Sequence, residues 1–155
     1  MRLDTGMELI KYFAPEQFAA GLESWGWIGL DGKAPVFASV FGDVLLRAAD
    51  GLWWLDTLQG ELTRPWQSTE EVEAALNTAD GQEHYLLAGL ARAAWERGLV
   101  PADGEVYDFT HPPVLGGELD PDNLGVIDFA TGLNIAGQIH DQVRDLPPGT
   151  PITFA

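Results

Sequence analysis

The chain has 155 residues, enough for one domain with a real core and hardly enough for two. Apolar residues make up 46% and there are six Trp and seven Phe, so disorder is excluded as the default state. The formal charge of −16 argues against binding nucleic acid or an anionic membrane, since both need Lys and Arg on phosphate, and it suits a basic protein partner.

The chain contains no cysteine, which excludes disulfides, thiolate metal sites and a Cys nucleophile. No stretch has signal-peptide or membrane-span character, so the cytoplasm is the expected compartment.

In chain order, Pro15 opens a helix that runs through Phe18, Ala19 and Leu22 toward Trp25. Gly26, Gly29 and Gly32 break it. Phe37 to Arg47 reads as one or two strands. Asp50-Gly51 is a hairpin turn, Leu52 to Leu58 a strand, Gln59-Gly60 a turn and Glu61 to Trp66 a third strand. The expected result is an antiparallel meander. Trp53 and Trp54 must face opposite sides of it. One belongs to the core; the other needs a covering element or forms a sticky face that would permit a homodimer.

Ser68 and Glu71 have capping-box spacing and start a helix that ends near Asn77. Asp80 with Glu83 is read as a second box. It opens a longer helix with a core stripe of Leu86, Leu87, Leu90, Ala91, Ala94 and Trp95, closed by Gly98. Glu105 to Phe109 alternates like a strand, Asp120-Pro121-Asp122-Asn123 is a turn cluster, and Leu124 to Phe129 is a further strand. Thr131 is read as the cap of a last helix bearing Leu133, Ala136, Ile139, Val143 and Leu146, stopped by Pro147-Pro148-Gly149. The pattern predicts an α+β domain: a mostly antiparallel sheet with helices packed against it.

Catalytic signatures are missing from the sequence. Ser24, Ser39 and Ser68 lie outside any Gly-x-Ser-x-Gly turn, and no Walker or dinucleotide fingerprint is present. His84, His111 and His140 are scattered. Asp120, Asp122 and Asn123 lack the Gly and Glu of a calcium loop. Asp43, Asp56 and Asp128 are carboxylates in or beside strands, and His140 reads as a hydrogen-bonded structural residue before a general base. No catalytic residue, cofactor or metal is assigned.

Several ordered segments carry a family resemblance. They are Phe41-Gly42-Asp43-Val44-Leu45-Leu46-Arg47, Asp50-Gly51 and Trp54-Leu55-Asp56-Thr57-Leu58, then Tyr85-Leu86-Leu87-Ala88-Gly89-Leu90 and Arg97-Gly98-Leu99. They continue with Tyr107-Asp108-Phe109, Pro112-Pro113-Val114-Leu115-Gly116-Gly117, Asn134-Ile135-Ala136-Gly137-Gln138-Ile139-His140 and Leu146-Pro147-Pro148-Gly149-Thr150. Over Val36 to Ile152 the chain resembles the C-terminal domain of the type VI secretion DNase immunity family. The resemblance divides the chain into a short helical and loop segment, 1–35, a reduced form of the family's GAD-like portion, and an immunity-type domain, 36–155, together forming one compact unit. It implies a non-catalytic inhibitor that binds a cognate toxin in the cytoplasm. The competing reading is a regulatory or adaptor module with another protein partner.

A nuclease cleft is basic, so an acidic inhibitor can occupy it in place of DNA. The expected contact is the loop Glu23-Ser24-Trp25-Gly26-Trp27 with Asp31, because it joins aromatic anchors to carboxylates. The alternative role for Trp25 and Trp27 is to staple the first helix to the sheet.

Overall fold

The computed structural model describes residues 8–146. The Pro147-Pro148-Gly149 stop lies outside them. Five antiparallel strands form the main sheet in chain order: β1 (Ile10–Lys11), β2 (Ala34–Ser39), β3 (Val44–Ala48), β4 (Gly51–Asp56) and β5 (Glu61–Trp66). The hairpin at Asp50-Gly51 pairs Ala48 with Gly51 and Val44 with Leu55, as the turn chemistry requires. The short strand β1 was not foreseen: two residues carry no periodicity. It is held from outside the sheet as well, because the buried Lys11 ammonium donates to the carbonyls of Ala102 and Glu105, each at 2.6 Å.

Helices cover both faces. On one side α2 (Thr69–Leu76), α3 (Ala79–Leu86) and α4 (Ala88–Glu96) bury Val72, Leu76, Leu86 and Ala91 against Phe37, Leu45, Trp54 and Trp66. On the other, α1 (Pro15–Leu22) and α5 (Phe129–Val143) bury Phe18, Phe129 and Leu133 against Val44, Leu46 and Leu55. The unbroken apolar run Val44-Leu45-Leu46 follows from this, since alternate side chains enter different cores. Phe13 stacks on Phe129 at 3.9 Å and Phe18 meets the same ring edge-on at 5.3 Å, which pins α1 to α5. A second sheet, β6 (Glu105–Phe109) with β7 (Leu124–Asp128), joins the first through the Tyr107 amide, which donates to the Val40 carbonyl at 2.8 Å. The architecture is α+β. Among the described residues no helix is long and apolar enough to cross a membrane.

Four expected helix features differ. The long helix after Asp80 is two helices, broken at Leu87, whose backbone is left-handed (φ 49°, ψ 48°). Thr78 caps α3 by accepting from the Gly81 amide, and Glu83 accepts from the Gly89 amide at 2.9 Å, so it serves the start of α4 and not a box with Asp80. Trp95 lies off the core stripe, 41% exposed. At α5 the cap is Asp128, and Thr131 is the residue it caps: the Thr131 amide and hydroxyl donate to Asp128 Oδ2 at 3.0 and 2.9 Å. Phe129 is consequently the first residue of α5 and not the end of β7.

Of the Trp pair, Trp54 is core and Trp53 is half-buried beneath Lys33, whose ammonium sits 4.4 Å from the ring centroid. The indole N–H of Trp53 donates to Asp50 at 2.9 Å. Lys33 and Asp50 thus cover part of the Trp53 face from within the chain.

Candidate functional site: a carboxylate-floored cavity

The segment 23–27 is anchored more than it is offered. Trp25 is fully buried, and its indole N–H donates to the Leu133 carbonyl at 2.9 Å. The Ser24 hydroxyl donates to the Asn134 carbonyl at 2.7 Å. Gly137 permits this approach: a Cβ there would collide with Ser24 Oγ and the Trp25 indole. Trp25 therefore presents no surface to a partner: it is buried within the chain and its one donor is spent on α5. Trp27 stacks on Trp25 at 5.5 Å, lies 4.9 Å from the Arg144 guanidinium and is half-buried. Its indole nitrogen is buried and has no hydrogen-bond partner among the described residues. Glu23, Gly26 and Asp31 are exposed.

A concave feature lies elsewhere. A cavity of about 230 Å³ opens where the Phe41–Asp43 turn, Thr57-Leu58, Leu87, strand β6, the Pro112–Val114 segment and helix α5 meet. Most of the segments that carry the family resemblance converge on it. Its walls include Phe41, Phe109, Ile135 and Ile139, and its polar groups include Asp43, Asp108, Thr57 and His140.

Asp43 is 6% exposed. Oδ1 accepts from the Thr57 amide and hydroxyl, each at 2.8 Å, and Oδ2 accepts from the Ser39 hydroxyl at 2.9 Å. Burial raises its pKa to about 6, the neighbouring Asp56 charge adds to the rise, and the Thr57 and Ser39 hydrogen bonds oppose it. Asp108 is half-buried, and burial raises its pKa too. His140 donates from Nε2 to the Thr57 carbonyl at 2.7 Å; a carbonyl only accepts, so that nitrogen carries the proton. His140 is a buried structural link between α5 and the β4–β5 turn. The Thr57 hydroxyl is spent on Asp43 and is not held by His140, so these groups do not form a nucleophile–base pair. Asp43 and Asp56 also line a second cleft, beside Trp54, Glu61 and Tyr85.

The remaining candidates from the sequence have structural duties. Asp120 caps the turn Pro121–Asn123 through the Asp122 amide at 2.8 Å, and Asp122 pairs with Arg97. Asn123 ties His111 to Glu118 by donating to both carbonyls at 2.9 Å. Among the described residues no group of three or more His, Asp or Glu is placed to hold a metal.

Sequence reasoning missed Asp108 as a site residue and weighed Asp43 only as one of many carboxylates. In an acidic chain such residues are too common to stand out. The usable signal was their position inside the motif segments Phe41-Gly42-Asp43 and Tyr107-Asp108-Phe109.

Comparison with known proteins agrees with the resemblance. Residues 68–140 match the family described as "T6SS immunity protein Tdi1, C-terminal". The match runs from the cap of α2 to His140, a narrower span than the motif segments cover, and it contains β6, the Pro112–Val114 segment and most of α5. No curated protein matches the chain. Among solved structures the fold resembles Atu4351 from Agrobacterium tumefaciens, with a TM-score of 0.61 and 16% identity, over 84% of this chain and 67% of that one. At that identity the likeness concerns the fold alone.

Proposed function

We propose, from the premise that residues 68–140 carry the C-terminal domain of a type VI secretion immunity protein, that this chain neutralises a cognate toxin by binding it, without catalysis, in the cytoplasm. The family match is the observation that carries the reading. Charge extends it to a nuclease-type toxin. The net charge is −16, and Lys11, Lys33, Arg64, Arg97 and Arg144 are engaged within the chain, which leaves an acidic surface with few free cations. Such a surface complements a phosphate-binding cleft and speeds encounter with it. The exposed residues Glu23, Gly26 and Asp31, with half-buried Ser24 and Trp27, form one proposed contact.

The test is rescue. A nuclease-type toxin encoded beside this protein's gene is expressed in a bacterial host with and without the chain, and survivors are counted. Survival together with a co-purifying complex is the expected result. Absence of both, with each protein folded and expressed, would sink the immunity reading and favour a regulatory module with another partner. In the same assay Glu23→Lys with Asp31→Lys is expected to leave the unfolding midpoint unchanged and to weaken the complex. An unchanged complex would remove that loop from the interface.

A further inference from the structure

Asp108 lies on β6 two residues after the buried Val106, and Asp43 follows the turn that ends β2. The fold brings both to one cavity. Among the described residues neither faces a Lys or Arg. Among the described residues no Lys or Arg lines the cavity, and the Asp108 carboxylate takes no hydrogen bond or ion pair, although its backbone is paired in the β6–β7 ladder. Lys11 lies near β6, but its ammonium is spent on two carbonyls. Asp43 Oδ2 takes a single hydrogen bond and keeps acceptor capacity. A carboxylate removed from water without a countercharge is costly, and both groups show it in their raised pKa values.

The rest of the cavity is apolar. Phe41, Phe109 and Ile139 form walls, and Val114 and Ile135 remain 40% and 44% exposed while lining it. Pro112 and Pro113 stiffen one edge. A small inorganic cation would leave these walls in contact with nothing. A group that fits both features has a positive head and a methylene stem, which is the chemistry of a lysine or arginine side chain. Exposed apolar residues beside the cavity suit burial under the protein that carries it.

We infer that the cavity between β6, α5 and the Phe41–Asp43 turn receives a lysine or arginine side chain of the cognate toxin, its head on the Asp108 and Asp43 carboxylates and its stem along Phe109 and Ile139. This rests on the immunity reading and names one contact through which it operates. Insertion supplies the missing countercharge, so the interaction is a desolvated charge pair and not a rim contact.

Two arms test it. In the first, n-butylammonium and n-propylguanidinium are titrated into the full chain and followed by amide NMR, with n-butanol as the neutral control. Saturable shifts at Asp108, Ile135 and Ile139 are expected for the two cations. Asp108→Asn should weaken both by about tenfold, as loss of a charge-assisted hydrogen bond implies, and leave n-butanol unaffected. Equal response to n-butanol, or no saturable response, overturns the proposal.

In the second arm wild type, Asp108→Asn and Asp108→Lys are compared for toxin rescue and complex affinity, with thermal unfolding confirming that each variant is folded. Graded loss, greatest for Asp108→Lys, is expected. Failure of wild type to rescue refutes the immunity reading itself. Rescue by wild type and Asp108→Lys alike refutes only the cavity as the toxin's receptor.

Discussion

Asp43 is the residue whose environment contributes most to pH dependence. Its pKa is raised in the fold to about 6, from 3.8, so the folded state holds the proton more tightly than the unfolded chain. Stability from this group is therefore fully present below about pH 4 and is lost as pH rises through about 6. A shift of this size corresponds to roughly 2–3 kcal/mol. We expect the unfolding free energy of wild type, relative to Asp43→Asn, to fall by an amount of that order between those limits and then level off. Denaturant titrations at a series of pH values measure it, and a flat difference would refute the raised pKa. At Gly137 the prediction concerns space. Gly137→Ala forces α5 away from Ser24 and Trp25 and should cost about 1–3 kcal/mol, the usual range for overpacking. Equilibrium unfolding with native-like tryptophan fluorescence is the measurement. A neutral Gly137→Ala would mean that the Trp25 anchor yields easily.

At the scale of elements, the two ends of the helices separate what sequence patterns say from what geometry requires. Asp128 and Thr131 are spaced for either to cap α5, and only the backbone path identifies Asp128. Asp128→Ala should cost about 1 kcal/mol, the typical loss of an N-cap acceptor, and Thr131→Ala only a few tenths. Comparable losses would show that the Thr131 hydroxyl matters as much as the cap. The break at Leu87 is the other case. A non-glycine residue in the left-handed region costs about 1–2 kcal/mol, so a pattern search extends the helix straight through it. The cost is tolerated because Leu86 and Ala88, on either side of the break, are both buried. Strand assignments were easier: Asp50-Gly51 and the alternation at Trp53-Trp54 have few physical alternatives. The two-residue β1 has no such signature and depends on Lys11 finding the carbonyls of Ala102 and Glu105.

For the whole molecule, charge sets the expected behaviour. If the −16 charge steers a basic toxin, association should slow steeply between roughly 0.05 M and roughly 0.5 M salt, as the screening length shrinks from a little over ~10 Å to a few Å. Dissociation should change less if the decisive contacts are desolvated. Stopped-flow association with the toxin identified by rescue decides the matter, and a salt-independent rate would remove electrostatic steering from the account. Charge alone did not locate the contact, because 24 acidic residues are spread along the chain.

By itself the sequence determined the α+β class, the hairpin at Asp50-Gly51, the apolar helix faces and the family resemblance. Each rests on local periodicity or on ordered motifs that survive in one dimension. Only the tertiary structure decided that Trp25 is an anchor and not a contact, that Thr57 joins Asp43 to His140, and that Asp43 and Asp108 share a cavity. Those relations depend on backbone segments far apart in the chain coming within hydrogen-bonding or van der Waals distance. Burial and a missing countercharge, the properties that distinguish these two carboxylates from the rest, exist only once the chain has folded.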